Sequence, residues 1–226
     1  MKAETALQRG TRIVLLVCTA LLLLLSNLYL VATPAYVRYE YGKPSFPPAD
    51  IYGPEERQVL AEATVHYLRS GEGVDYLRNL QSQGQGVYNE REIQHLVDVK
   101  AVMTAAFAVQ AVCAVLVLGA LCLAWRSHGW HAALRAIYQS CLALFLALAA
   151  IGVLAYTSFD VFFTAFHRVF FSGDSWLFFY TDTLIQLYPV PFWMDATWIL
   201  VLLSLTECVV VGTIAYVLYR RQERVL

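Results

Sequence analysis

Charge is scarce in this chain. Asp, Glu, Lys and Arg make up 15% of its 226 residues against 59% hydrophobic ones, more apolar surface than a soluble domain of that length can hide. Cysteine is scarce as well. All five (Cys18, Cys113, Cys122, Cys141 and Cys208) fall in apolar runs and none forms a CxxC, so outer disulfides and redox motifs are excluded and the thiols read as small buried residues. Only Cys208 has an ionisable neighbour in sequence, and the negative charge of Glu207 disfavours a thiolate, which argues against thiol catalysis. A Gly-rich phosphate loop, a GxSxG elbow, an HExxH motif and a basic nucleic-acid patch are all missing. With no internal repeat and one internal carboxylate, transport is a poor fit.

What the chain does have is long hydrophobic runs. Four of them, at 13–32, 101–125, 136–156 and 197–219, come close to the roughly 20 residues a helix needs to cross hydrocarbon. The expected fold is therefore an all-α membrane protein, one domain over 1–226, with four transmembrane helices and two long connections, 33–100 and 157–196. The first run follows Lys2, Arg9 and Arg12, as a signal peptide would. It is too long for a signal core of about 7 to 15 residues and runs on to Thr33-Pro34 without small-residue cleavage signals, which predicts an uncleaved span.

Basic residues mark cytoplasmic segments. The two ends and the connection 126–135 carry eight basic residues against two acidic ones, whereas the two long connections carry eight basic against fourteen acidic ones. This predicts cytoplasmic termini and an extracytoplasmic cap.

In the first connection, Tyr39 to Pro54 is rich in Pro, Gly and Tyr and reads as a loop, with a short strand at 37–41. A helix is expected over 55–69, a shorter piece over 74–80 and a turn over 81–86. Asn89 with Glu92 three residues on forms a capping-box start near Glu90 for a helix entering the second span. On that helix His95 and Asp98, at i and i+3, share a face, so Asp98 is a candidate to orient His95 or favour its protonated form.

The stretch 160–193 is dense in aromatic rings, a composition suited to the depth where headgroups meet acyl chains. Ser158 or Asp160 is expected to cap a short helix ending at Gly173, on which Asp160, Thr164 and His167 form a polar stripe among phenylalanines. A second short helix is expected over 183–188. Arg168 points off the stripe, placed to snorkel to headgroup phosphates or to clamp a carboxylate. Glu207, inside the fourth span, is either functional or hydrogen-bonded to another helix, for example to Asn27 or Thr104. His66, His128 and His131 read as ordinary surface or interface residues. Asp174, Asp182 and Asp195 read as caps or surface charges.

Two motifs carry a family resemblance: Glu92-x-x-His95-Leu-x-Asp98-Val-Lys100, and Phe162-Phe-x-x-Phe166-His167-x-x-Phe170-Phe171 with Trp176, Asp182-x-Leu-Ile185, Pro189 and Phe192-Trp193. Together with the four-span layout they resemble a bacterial membrane-protein family that includes lipoprotein intramolecular transacylases. Leu96 stands where that family often has Met. The resemblance implies an acyltransferase with His95 and His167 as active-site histidines. Its substrate would be a diacylated lipoprotein, whose sn-2 acyl chain moves to the α-amino group of its own cysteine to give the lyso form. Asp98, Asp160, Thr164, Arg168 and Glu207 are supporting candidates from spacing and setting. Beyond the lipoprotein and membrane lipids no cofactor, metal or nucleic-acid partner is expected, and the chain is expected to act as a monomer. Two other readings are a non-catalytic membrane scaffold or sensor, and a metal-dependent lipid hydrolase built on the same residues. The spacings HxxD and D(x)6H are not those of a metalloprotease, which weakens the second.

Overall fold

A computed structural model describes residues 5–127 and 129–223. His128 and the terminal charges Lys2, Glu4 and Arg224 used in the orientation argument lie outside the described residues. The chain separates into two compact units, one made of the described parts of 1–28, 106–153 and 200–226, the other of 29–105 and 154–199. Three helices, α6 (Glu90–Arg126), α7 (Trp130–Thr157) and α10 (Val190–Glu223), each contribute to both.

In the first unit, α1 (Ala6–Ser26) begins at a capping box in which Thr5 accepts from the Gln8 amide and Gln8 reaches back to the Thr5 amide. It packs with the other long helices through small and branched residues: Leu15, Cys18, Cys113, Val117, Ala120 and Ala136 in one cluster, Cys141, Leu144, Leu148 and Cys208 in a second. Small side chains let helices approach closely where lipid offers no hydrophobic drive to associate. One close approach is at Gly212, where an added Cβ would stand 3.0 Å from Cys141 Cβ. Ser140 donates to the Leu16 carbonyl at 2.7 Å, a polar link between helices. Among the described residues, the stretches Ala6–Val31, Glu90–Arg126, Trp130–Thr157 and Val190–Glu223 are long and apolar enough to cross a membrane. The helices run further than the apolar runs alone suggested, because α6 continues through its capped, polar start and α10 begins seven residues before Thr197, with Pro191 in its first turn where no donor is needed.

The second unit opens with a single turn, α2 (Leu28–Val31), and then α3 (Pro34–Tyr41). The strand expected at 37–41 is helical. Thr33 caps it by accepting from the Tyr36 amide at 3.1 Å, Pro34 occupies the first turn, and Tyr36 and Val37 are buried on one face. Next come α4 (Pro54–Arg69) and the single turn α5 (Asp75–Arg78). The expected turn at 81–86 is a hairpin of β1 (Gln81–Ser82) and β2 (Gln85–Gly86), closed by Gln83 and Gly84 at φ 52° and 78°, the positive pair a two-residue hairpin loop requires. After α6 and α7, α8 (Phe159–Phe170) and α9 (Thr183–Leu187) lead into α10.

The core of this unit gathers Val37, Leu60, Ala61, Leu77, Leu187 and Phe192. Three tyrosines, the buried Tyr36 and Tyr188 and the half-buried Tyr41, bond to backbone: Tyr36 to the Phe192 carbonyl at 3.0 Å, Tyr41 to Leu187 at 2.6 Å and Tyr188 to Ala61 at 2.7 Å. Each ties an apolar ring to a fixed acceptor, the usual condition for burying a phenol. The Arg57 guanidinium, buried as well, donates to the carbonyls of Gln186 and Pro47.

Gly212→Val should lower stability by about 1–3 kcal/mol, the usual cost of overpacking a close contact. Thermal unfolding of the detergent-solubilised protein checks this, and an unchanged midpoint would show that α7 and α10 separate freely at Cys141.

Candidate active site

The second unit brings His95 and His167 together. Their rings are 6.3 Å apart, centre to centre, and inclined by only 21°, and each residue is 8% exposed. His95 sits on the second turn of α6. The start of that helix is fixed by the Asn89–Glu92 capping box, in which the Asn89 amide donates to Glu92 Oε2 at 2.9 Å and the Glu92 amide to Asn89 Oδ1 at 3.0 Å. Glu92 is itself 1% exposed, and its other oxygen accepts from the Leu184 amide at 2.8 Å, which joins α9 to the base of the helix carrying His95.

His167 occupies the last turn of α8. Its Nδ1 lies 2.8 Å from the carbonyl of Phe163, one turn back. A carbonyl can only accept, so Nδ1 carries the hydrogen and Nε2 keeps its lone pair in the neutral ring. Burial lowers the pKa of His167 below the ordinary imidazole value, and the bond to the Phe163 carbonyl opposes that shift only in part. The Nδ1 of His95 is buried with no hydrogen-bond partner from the protein.

Aromatic rings surround the pair. Phe163 and Trp176 lie 4.0 and 4.9 Å from the His167 ring, Phe178 lies 5.3 Å from His95, and Phe171 touches both at 5.6 and 4.9 Å. They supply an apolar setting in which a neutral imidazole is favoured over an imidazolium.

Of the supporting candidates, Asp98 acts on the pair through its charge, which opposes the lowering of the His95 pKa by burial and by His167. Asp98 is half-buried one turn beyond His95, and its carboxylate accepts from Gln94 at 3.0 Å. Asp160 is exposed at the start of α8, Thr164 is half-buried, and Arg168 is exposed. Glu207 belongs to the first unit, where it accepts from Asn27 Nδ2 at 3.2 Å and Ser26 Oγ at 3.3 Å, the interhelix pairing anticipated for Asn27. Thr104 instead donates to the Lys100 carbonyl. Among the described residues no three of His, Cys, Asp and Glu are grouped to hold a metal ion.

Sequence reading passed over two contributors. Glu92 was visible as a cap but not as an anchor for α9. Phe178 was visible only as a member of an aromatic-rich stretch, because a loop's path over a ring pair leaves no periodic signal.

Four apolar helices and a buried imidazole pair lined by aromatics define an integral membrane protein with a site suited to proton transfer on an apolar substrate. Residues 12–193 match the family described as lipoprotein intramolecular transacylase Lit, and the chain belongs to that acyltransferase family. An uncharacterized protein of Aquifex aeolicus (strain VF5) is 32% identical over 175 residues, 75% of this chain and 76% of that one. The fold is similar to that of the membrane integral lipoprotein intramolecular transacylase Lit from Bacillus cereus, with a TM-score of 0.70 over 97% of this chain and 98% of that one at 16% identity. A variant of the Bacillus cereus protein with one histidine replaced matches with a TM-score of 0.65 at 14% identity, over 97% of this chain and 95% of its own.

Two outcomes are expected from this geometry. Glu92→Ala, which strands two amides, should cost about 3 kcal/mol, read as a lower unfolding midpoint. His167 should titrate below about 6.5 by NMR of labelled histidine. A folded pKa below the unfolded one gives stability that is present above about 6.5 and is lost as pH falls through the folded value, and a midpoint at or above 6.5 would contradict the burial argument.

Proposed function

We propose that this chain carries out the reaction for which its family is named, moving the sn-2 acyl chain of a diacylglyceryl-cysteine lipoprotein onto the α-amino group of the same cysteine. The observation that carries the reading is the buried pair itself, with His167 presenting an unprotonated Nε2 and His95 6.3 Å away.

The reaction exchanges an ester for an amide, which is downhill, and both reacting groups belong to one molecule, so positioning supplies much of the rate. The α-amino group, with a pKa of about 8, must lose a proton as it attacks the ester carbonyl, and negative charge grows on the carbonyl oxygen. In this reading Nε2 of His167 takes the amine's proton. The tetrahedral intermediate then collapses, the acyl–oxygen bond of the glyceryl ester breaks, and the same Nε2 returns the proton to the departing glycerol oxygen. His95 orients the substrate or donates to the oxyanion. The products are an N-acyl amide and an S-monoacylglyceryl thioether, with no water consumed.

The proposed setting is the extracytoplasmic face of a bacterial plasma membrane, with both termini in the cytoplasm and the chain acting as a monomer. The skewed distribution of basic residues supports the orientation. α6, at 37 residues, is about 55 Å long, well beyond the ~30 Å of hydrocarbon, so its capped start with His95 has room to stand at the interface. Asp98, Asp160, Thr164 and Arg168 are proposed as surroundings of the reaction that tune substrate approach, and Glu207 as a link between helices.

Incubating purified protein with a synthetic diacylated lipopeptide, followed by tandem mass spectrometry, tests the reading. Acyl migration leaves the mass unchanged, so fragments must locate the chain on nitrogen. His167→Ala should reduce transfer at least about 100-fold without unfolding the protein, and His95→Gln about tenfold. Near-normal transfer by His167→Ala would remove the mechanism.

A further inference from the structure

One group beside the histidines has no part in the proton transfers above. Asp182, with a side chain 12% exposed, ends the segment between α8 and α9. Its Oδ2 accepts from the Arg91 guanidinium at 2.7 Å and from the Phe179 amide at 2.7 Å, and its Oδ1 accepts from Asn89 at 3.2 Å. The same guanidinium lies 5.3 Å from the Phe178 ring and 5.1 Å from the Phe179 ring. Arg91 precedes His95 by one turn of α6, so one helix face presents both a catalytic ring and the cation that holds the neighbouring segment.

That segment, 171–181, runs across the imidazole pair. Phe171 meets both rings, Trp176 meets His167 and Phe178 meets His95. Gly173, at φ 62°, turns the chain away from α8, and the bonds from Trp176 to the Gly173 carbonyl and from Leu177 to the Asp174 carbonyl are local. The contacts that tie its far end to α6 are the charge-assisted bonds of Asp182 and the stacking of Arg91, whose side chain is 40% exposed against 12% for that of Asp182.

We propose that Arg91 and Asp182 are positioning residues that hold this aromatic strap over the histidine pair, and that their pairing sets the ratio of acyl transfer to ester hydrolysis. The inference rests on the transacylase reading. With the strap held, the tethered amine is the nucleophile at the ester. With it released, water adds to the carbonyl carbon, the acyl–oxygen bond breaks, the glycerol oxygen takes a proton, and a free fatty acid leaves while the α-amine stays unacylated.

The test compares wild type with Arg91→Gln, Asp182→Asn and Arg91→Lys on the diacylated lipopeptide, quantifying N-acyl product and released fatty acid together. The share of fatty acid should rise at least fivefold in Arg91→Gln and Asp182→Asn. It should rise less in Arg91→Lys, which keeps the ion pair without the planar stacking. Amide hydrogen exchange over 174–181 should quicken in the same order. Both products falling in step, with their ratio unchanged, would show a merely structural role and overturn the inference. If the first two variants fail to fold, an unchanged ratio in Arg91→Lys overturns it. Wild-type transfer with unchanged ratios in every variant removes the strap alone, whereas a wild type that forms no N-acyl product overturns the transacylase reading and this inference with it.

Discussion

The carboxylate of Glu92 is the constraint on which the second unit depends. It is almost fully buried and satisfied by two backbone amides, one at the start of its own helix and one in α9, far away in sequence. A buried carboxylate is tolerable only when its oxygens are bonded, so the helix start and α9 must form together. Thr183 adds a second tie by donating to the Val87 carbonyl at 2.7 Å. Once these bonds exist, the direction of α6 is set, and His95 follows one turn later on a rigid element rather than on a loop.

The same economy of partners governs the imidazoles. Two charged rings at 6.3 Å in an apolar setting would repel and lose hydration together, so the surroundings favour both as neutral bases. Aromatic rings suit this task. They exclude water as aliphatic chains do, yet their edges and faces accommodate a polar heterocycle, and their rigidity limits the entropy lost in holding a substrate. Under the proposed reaction of this acyltransferase family member, the site would need both bases and dryness.

Much of this was legible in the sequence. The four apolar runs and the Asn89–Glu92 cap follow from short-range rules of length and capping and reappear in the fold, and the two histidines singled out by a family resemblance lie side by side in it. What the local rules missed has more than one source. Residues 37–41 alternate like a strand, but Thr33 and Pro34 just upstream start a helix and the packing of Tyr36 and Val37 keeps it. The polar stripe of α8 placed Asp160 and His167 on one side by spacing, yet the fold buries His167 and leaves Asp160 exposed, because Phe171 and Trp176 from beyond α8 join Phe163 in covering the ring. Contacts between elements distant in sequence, such as Asp182 with Arg91, leave no local pattern to read.

The bond from His167 Nδ1 to the Phe163 carbonyl has a consequence for proton traffic. It leaves Nε2 as the one nitrogen of that ring free to take and return a proton, so under the proposed role a single atom serves both the amine and the glycerol oxygen, and the two must come to the same point in turn.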